Sequence, residues 1–186
     1  MLRTLQQNKD THSQQRLMIR LLMIVGFTVF TALAAQVKIY IGSPIPFTLQ
    51  VLAVLITGLV LGARDGFISQ ALYLGLIAVN LPVAAGGAGA ASLTGESAGY
   101  LIGFPFAAAA SGFFMERGAD RVWQRWLAGV AGIAVIYLFG LPVLKFVTGT
   151  DWSTAWGWGV APFLGLDLVK AFIAAAITEG TRAGLL

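Results

Sequence analysis

Residues 41–63 read IGSPIPFTLQVLAVLITGLVLGA, 23 positions without an Asp, Glu, Lys or Arg. A hydrocarbon core takes roughly 20 residues of helix, so this stretch reads as membrane-embedded. Outward from it, residues 66–95, 97–115 and 126–144 run uncharged for 30, 19 and 19 positions. Only 11% of the 186 residues are charged and 58% are hydrophobic, where a soluble domain carries about 25% charge. Water is therefore the wrong solvent for most of this surface. Backbone at membrane depth must close its own hydrogen bonds, and apolar runs of this length exclude ten-residue alternating strands and select helices. The fold class is all-α, a polytopic membrane bundle. The chain has no cysteine and one histidine, His12, in a polar leader over residues 1–16. Disulfide frameworks, zinc fingers, haem ligation and thiolate catalysis are excluded on that count.

Six spans are expected in one compact membrane domain over residues 17–186. The first runs Leu17–Val37; it lacks a small-x-small cleavage site and reads as a retained helix. A connector containing Pro44 and Pro46 stays extended, because residues before proline avoid the helical region. The second helix follows from Thr48 to Gly62, and a turn at 63–66 leads into the third, Phe67–Asn80. Residues 81–95, LPVAAGGAGAASLTG, are too rich in glycine for a helix interior and read as a structured loop. The fourth helix is expected over Glu96–Met115, the fifth over Trp126–Val147 and the sixth over Pro162–Ile177. The tryptophan-rich 148–159 between the last two fits an interfacial belt or a short helix at the membrane surface.

Arg3, Lys9, Arg16, Arg20, Arg64, Arg117, Arg121, Arg125 and Arg182 fall on the side of the termini, against Lys38 and Lys145 on the other. The excess of base marks the cytoplasmic side, so both termini are expected on the cytoplasmic side of the cell membrane. The outer side then carries the proline connector, the glycine-rich loop and the tryptophan segment, which together could roof a cavity. The twelfth basic residue, Lys170, belongs to neither set because it falls inside helix six.

Lys170 and Asp167 stand three apart and share a helix face. Either charge near the centre of a span costs about 2.5 to 3.5 kcal/mol, so it normally faces protein or a water-filled cavity. One reading is a self-neutralising pair near the outer interface, with Lys170 snorkelling. The other uses them separately, the ammonium for a ligand carboxylate and the carboxylate for N–H donors of a polar ring. Asn80 could act as a cap or offer a donor and an acceptor. Gln50 and Tyr100 read as packed residues or as pocket wall, and Glu96 reads as a cap for helix four. The glycines of 85–89, Gly86 and Gly87 among them, lack the Lys-Ser or Lys-Thr of a phosphate-binding loop and suit a lid lying close over a ligand. On helix one, Thr31 with Ala35 and Thr28 with Ala32 form small-x-x-x-small faces for close helix approach, inside the bundle or against another membrane protein. With no histidine in a span and no carboxylate pair, catalysis is disfavoured; with no ATP motif, energy would come from a gradient or another subunit.

At these residues the chain resembles the BioY family, biotin-capturing substrate-specificity (S) subunits of energy-coupling factor (ECF) transporters. The motifs are PIPFTLQ at 44–50, LGAR at 61–64, LPVAAGGAG at 81–89, GYLIGF at 99–104 and PFLGLDLVKA at 162–171. The resemblance implies a six-helix S-component fold that binds biotin from outside. It implies delivery inward with an EcfT-type coupling subunit and two cytoplasmic ATPases, and no catalysis, cofactor or nucleic acid of its own. It carries a ligand site onto Asn80, Tyr100, Asp167 and Lys170, with Lys170 expected on the valerate carboxylate and Asp167 and Asn80 on the ureido group. Gln50, Gly86 and Gly87 join as wall and lid, and Thr31, Ala32 and Ala35 as the docking face for the coupling subunit. Thr31 stands where the family has alanine, and Ala84 where a larger aromatic is common. The alternative is a gradient-driven carrier for another small carboxylate or vitamin working without ATPases; a third class is a membrane scaffold in which Asp167 and Lys170 merely pair.

Overall fold

The structure, a computed structural model, describes residues 2–40 and 42–182, with side chains from 14 to 179 except Ile41. The side chains of Arg3, Lys9, His12 and Arg182 lie outside the described residues. Helix α1 spans Leu2–Ala34, so the polar leader continues the first span without a break. Two short strands follow, β1 (Lys38–Ile39) and β2 (Phe47–Thr48), paired antiparallel with Lys38 opposite Thr48. Then come α2 (Gln50–Ala78), a 3-10 turn (Ala90–Leu93), α3 (Ala98–Glu116), α4 (Val122–Thr148), α5 (Trp152–Gly159) and α6 (Ala161–Arg182). Five of these are long and apolar enough to cross a membrane: 14–34 of α1, α2, α3, α4 and 161–179 of α6.

Within α2 the chain reverses at Gly62, whose φ of 81° and ψ of −178° are not helical. A straight helix would separate residues 58 and 66 by about 12 Å, yet a Cβ built on Gly66 would lie 3.2 Å from the Gly58 Cα. Gln70 reaches Thr57 and Gln50 reaches Tyr73 across the same seam. The arms 50–61 and 63–78 are therefore an antiparallel hairpin, and the bundle has six spans, as expected from the sequence. The expected four-residue turn at 63–66 is replaced by one glycine. A residue with φ near +80° is essentially a glycine, and the reversal is completed when the backbone N–H of Ala63 donates to Glu116 Oε1 at 2.8 Å. Arg20 pairs with Asp65 beside this turn, fastening the start of the first span to it.

Glu96 does not cap α3: it is exposed, one residue ahead of the N-cap Ser97, which itself makes no side-chain cap bond. The tryptophan segment is the short helix α5. Its N-cap Asp151 accepts the Thr154 N–H at 2.7 Å, which holds that carboxyl below its ordinary range.

Helix α2 packs on α3 and α3 on α4, with α1 against α2 and α6 against α4 and α2. The small-residue face of α1 is turned inward. Thr28 and Thr31 are buried with Ala35; Thr28 Oγ1 donates to the Ser69 carbonyl at 2.9 Å, and Gln70 Nε2 donates to Thr31 Oγ1 at 2.9 Å. The second arm of α2 thus occupies the face expected to dock a partner, and Ala32 is partly buried in the same core. Small residues won the inside position because two hydroxyls needed partners in a dry layer. What α1 leaves outside is large and apolar, Leu22 and Leu33 among them.

The irregular segments gather at one end. Ser43 Oγ donates to the Trp158 carbonyl at 2.7 Å, and the Gly86 N–H to the Ala35 carbonyl at 3.2 Å. At membrane depth, non-helical backbone is tolerated where it is buried in protein or lines a cavity, and these segments enclose one.

Candidate ligand-binding site

The cavity lies between α2, α3, α4 and α6 at the end where the irregular segments gather, under the segments 45–48 and 84–92. It leaves about 70 Å³ for the centres of water molecules. That is room for a handful of waters.

The wall of α6 supplies the charge. Lys170 and Asp167 are 5% and 3% exposed, so Lys170 does not snorkel; it turns inward. Its Nζ donates to Asp167 Oδ1 at 2.8 Å and to the Thr48 carbonyl at 2.9 Å, and sits 4.0 Å from the centre of the Phe47 ring. From α4, the Tyr137 hydroxyl donates to the other carboxylate oxygen, Oδ2, at 2.6 Å. A buried ion pair holds its place only when its spare donors and acceptors are met, and strand β2, the Phe47 ring and Tyr137 meet them. The two charges are thus one unit presenting a donor beside an acceptor. For each to serve a different end of a ligand, as expected from the sequence, this 2.8 Å contact has to open.

Tyr100 also lines the cavity, its hydroxyl donating to the Gly159 carbonyl at 3.0 Å. Its side chain fits because Gly140 and Gly159 carry none: a Cβ on Gly140 would run into the ring and one on Gly159 into the hydroxyl. Gln50 lines the cavity too, accepting from Thr48 Oγ1 at 3.0 Å and donating to the Tyr73 hydroxyl at 2.8 Å. Asn80 does not line it. It stands at the end of α2 with φ of 63°, and its Oδ1 accepts the Ala90 N–H at 3.0 Å, organising the loop from behind. Gly86 and Gly87 form the tip of a tight hairpin closed by Ala84 and Ala88 and seated on the end of α1 beside Lys38. The loop residues that face the cavity are Ala84, Ala85 and Ser92.

Sequence reasoning missed Tyr137, Tyr73, Thr48, Ser92 and Ser97. For Tyr137 a signal existed, since a tyrosine within the uncharged run 126–144 brings a hydroxyl that needs a partner when buried. The hydroxyls of Ser92 and Ser97 make no hydrogen bond among the described residues and are free to meet a ligand.

Comparison with known proteins bears on what such a site holds. The chain is 39% identical over 158 residues to the probable biotin transporter BioY of Pyrococcus horikoshii, covering 84% of this chain and 92% of that one. It is 40% identical over 152 residues to the biotin transporter BioY of Thermotoga maritima, covering 81% and 88%. A crystal structure described as the S-component for biotin from an ECF-type ABC transporter superposes with a TM-score of 0.84 at 26% identity, over 91% of this chain and 93% of that one. The family model for the BioY family matches residues 6–185, and with a match across almost its whole length, this multi-pass membrane protein belongs to the BioY family.

Proposed function

We propose that this chain captures biotin and serves as the substrate-binding subunit of an ATP-driven ECF transporter, with hydrolysis left to partner subunits. The observation that carries the reading is the buried Lys170–Asp167 unit in the cavity wall. A ureido group offers a carbonyl acceptor and an N–H donor about 2.3 Å apart by amide bond lengths. An ammonium and a carboxylate oxygen 2.8 Å apart offer the complementary donor and acceptor. Lys170 then meets the ureido oxygen and Asp167 an adjacent N–H, Tyr100 and Phe104 flank the apolar rings, and the free hydroxyls of Ser92 and Ser97 are available to the carboxylate. An unmatched ligand leaves these buried groups unpaired, which is how such a site discriminates.

The partners this role requires are a transmembrane coupling subunit of the EcfT type and two cytoplasmic ATPases. Purified protein is expected to bind labelled biotin saturably without nucleotide, at micromolar concentration or below. Proteoliposomes should accumulate biotin only when coupling subunits and ATP are also supplied. No binding by the wild type overturns the biotin reading; proton-driven uptake by this chain alone favours the gradient-driven carrier.

The cavity faces outward in this proposal and both termini face the cytoplasm. Supporting this, Arg64, Arg117, Arg121 and Arg125 lie at the end where Glu116 meets Ala63. The chain has no cysteine, so single replacements report topology directly. A membrane-impermeant maleimide on intact cells should label Ser153→Cys on α5 and spare Arg117→Cys; the opposite pattern would reverse the orientation.

A further inference from the structure

We propose that Tyr73 is a positioning residue for biotin capture, which sets how long the ligand stays by tying the Lys170 unit to the loop above the cavity. The proposal rests on the biotin reading and adds a residue that does not line the cavity. A run of hydrogen bonds, linked at Thr48 through that residue's own covalent frame, leaves the ion pair. Lys170 Nζ donates to the Thr48 carbonyl (2.9 Å), Thr48 Oγ1 to Gln50 Oε1 (3.0 Å), Gln50 Nε2 to the Tyr73 hydroxyl (2.8 Å), and that hydroxyl to the Val83 carbonyl (3.0 Å).

The direction of this chain is dictated from its far end. A carbonyl only accepts, so Tyr73 must donate to Val83, and its lone pair is what remains for Gln50. Gln50 therefore presents its NH₂ to Tyr73 and its oxygen to Thr48, and Thr48 Oγ1 must donate while accepting the Gln50 N–H at 3.2 Å. Each group has one role open to it, and every donor points from the ion pair toward the loop. Tyr73 and Gln50 are 0% and 4% exposed, so water is poorly placed to replace a missing partner. Val83 leads directly into Ala84 and Ala85, which cover the cavity, and Ala84 closes the hairpin by donating to the Ala88 carbonyl at 2.9 Å. Of the side chains in this run, it is Tyr73 that hydrogen-bonds to the loop. A ligand that draws Lys170 toward itself acts on the Thr48 end, and a loop that lifts acts on the Val83 end; the tyrosine hydroxyl is where the two meet.

The test is Tyr73→Phe, which keeps the ring in the core and removes the hydroxyl. It is paired with Thr28→Val, which removes an equally buried hydroxyl that bonds helix one to Ser69 away from the cavity. Stopped-flow with labelled biotin should show dissociation from Tyr73→Phe faster by about tenfold or more, the loss of a buried hydrogen bond with its partners left unmet, with association within about threefold of wild type. Hydrogen exchange of the biotin-loaded proteins should show the amides of 84–88 losing protection in Tyr73→Phe and keeping it in Thr28→Val. Wild-type dissociation and protection in Tyr73→Phe overturn the proposal, as does an equal acceleration in Thr28→Val, which would mark both as general loosening. Failure of wild type itself to bind biotin overturns the functional reading instead.

Discussion

Lys170→Met should weaken biotin binding by at least about thirtyfold, the scale of losing one partner of a buried, hydrogen-bonded charge pair, about 2 to 5 kcal/mol. Methionine keeps an apolar stem against Phe47 and removes the ammonium that Asp167 and Thr48 share. Part of the loss is structural, because Asp167 is left with Tyr137 as its hydrogen-bond partner, and removing one partner of a buried pair destabilises by about 3 to 5 kcal/mol. The double replacement Lys170→Met with Asp167→Asn separates the two effects: it should recover most of the thermal stability lost by the single variant and none of the affinity. The ligand end is identified by analogues in isothermal titration. Biotin amide, with its carboxyl capped, should bind wild type within about tenfold of biotin, whereas 2-iminobiotin in its cationic form sets a positive donor against the ammonium and should be rejected. In Lys170→Met that rejection should shrink. The reverse pattern, rejection of the amide and tolerance of the iminium, would place Lys170 on the carboxylate.

How far the sequence carried this site depends on what each residue had to explain. Lys170 and Asp167 were legible because a charge inside a span has few satisfactory surroundings, and the structure puts both in the cavity wall. Their joint action was not legible, since i,i+3 spacing tells that two side chains share a face and not that Thr48 and Tyr137 hold them together. Asn80 reads by itself as a cap or as a donor and acceptor, and only the resemblance implies a ligand contact; in the structure its φ of 63° aims Oδ1 at Ala90. That conformation is set by the end of α2, which no periodicity reports. The spans themselves were legible from the uncharged runs, and their ends were not: the third helix begins at residue 63 because a backbone reversal and a distant carboxylate, Glu116, supply what a local turn signal would have had to supply. The small face of α1 was ambiguous in principle. Thr31 and Ala35 favour close approach to any helix, and only the placement of Gln70 and Thr57 shows which one took it.

That reversal at Gly62 also predicts the largest effect on folding. In Gly112→Ala the added methyl, set in the middle of α3, would lie 2.3 Å from both the Ala63 nitrogen and the Gly62 carbonyl carbon. These are backbone atoms of a turn that has no slack, so α3 and the hairpin must part. Overpacking of this kind costs about 1 to 3 kcal/mol; parting them also stretches the bond from Ala63 to Glu116, which is exposed and adds little. A cost near 2 kcal/mol lowers the melting temperature of a chain this size by roughly 4 to 8 °C. The control is Gly75→Ala, on the second arm of the same hairpin with nothing within 4 Å of its added Cβ; it gains helix propensity of about 1 kcal/mol and should melt at or above wild type. Melting of the two purified variants in one detergent decides the matter, and equal midpoints would mean that α3 and the turn yield more easily than their contact distances imply. The consequence reaches the ligand as well. Gln50 meets Tyr73 only while the two arms keep the register the single-glycine turn sets, so Gly112→Ala that still folds should release biotin faster, with the loop freed as in Tyr73→Phe, although the substitution lies at the opposite end of the hairpin from the cavity.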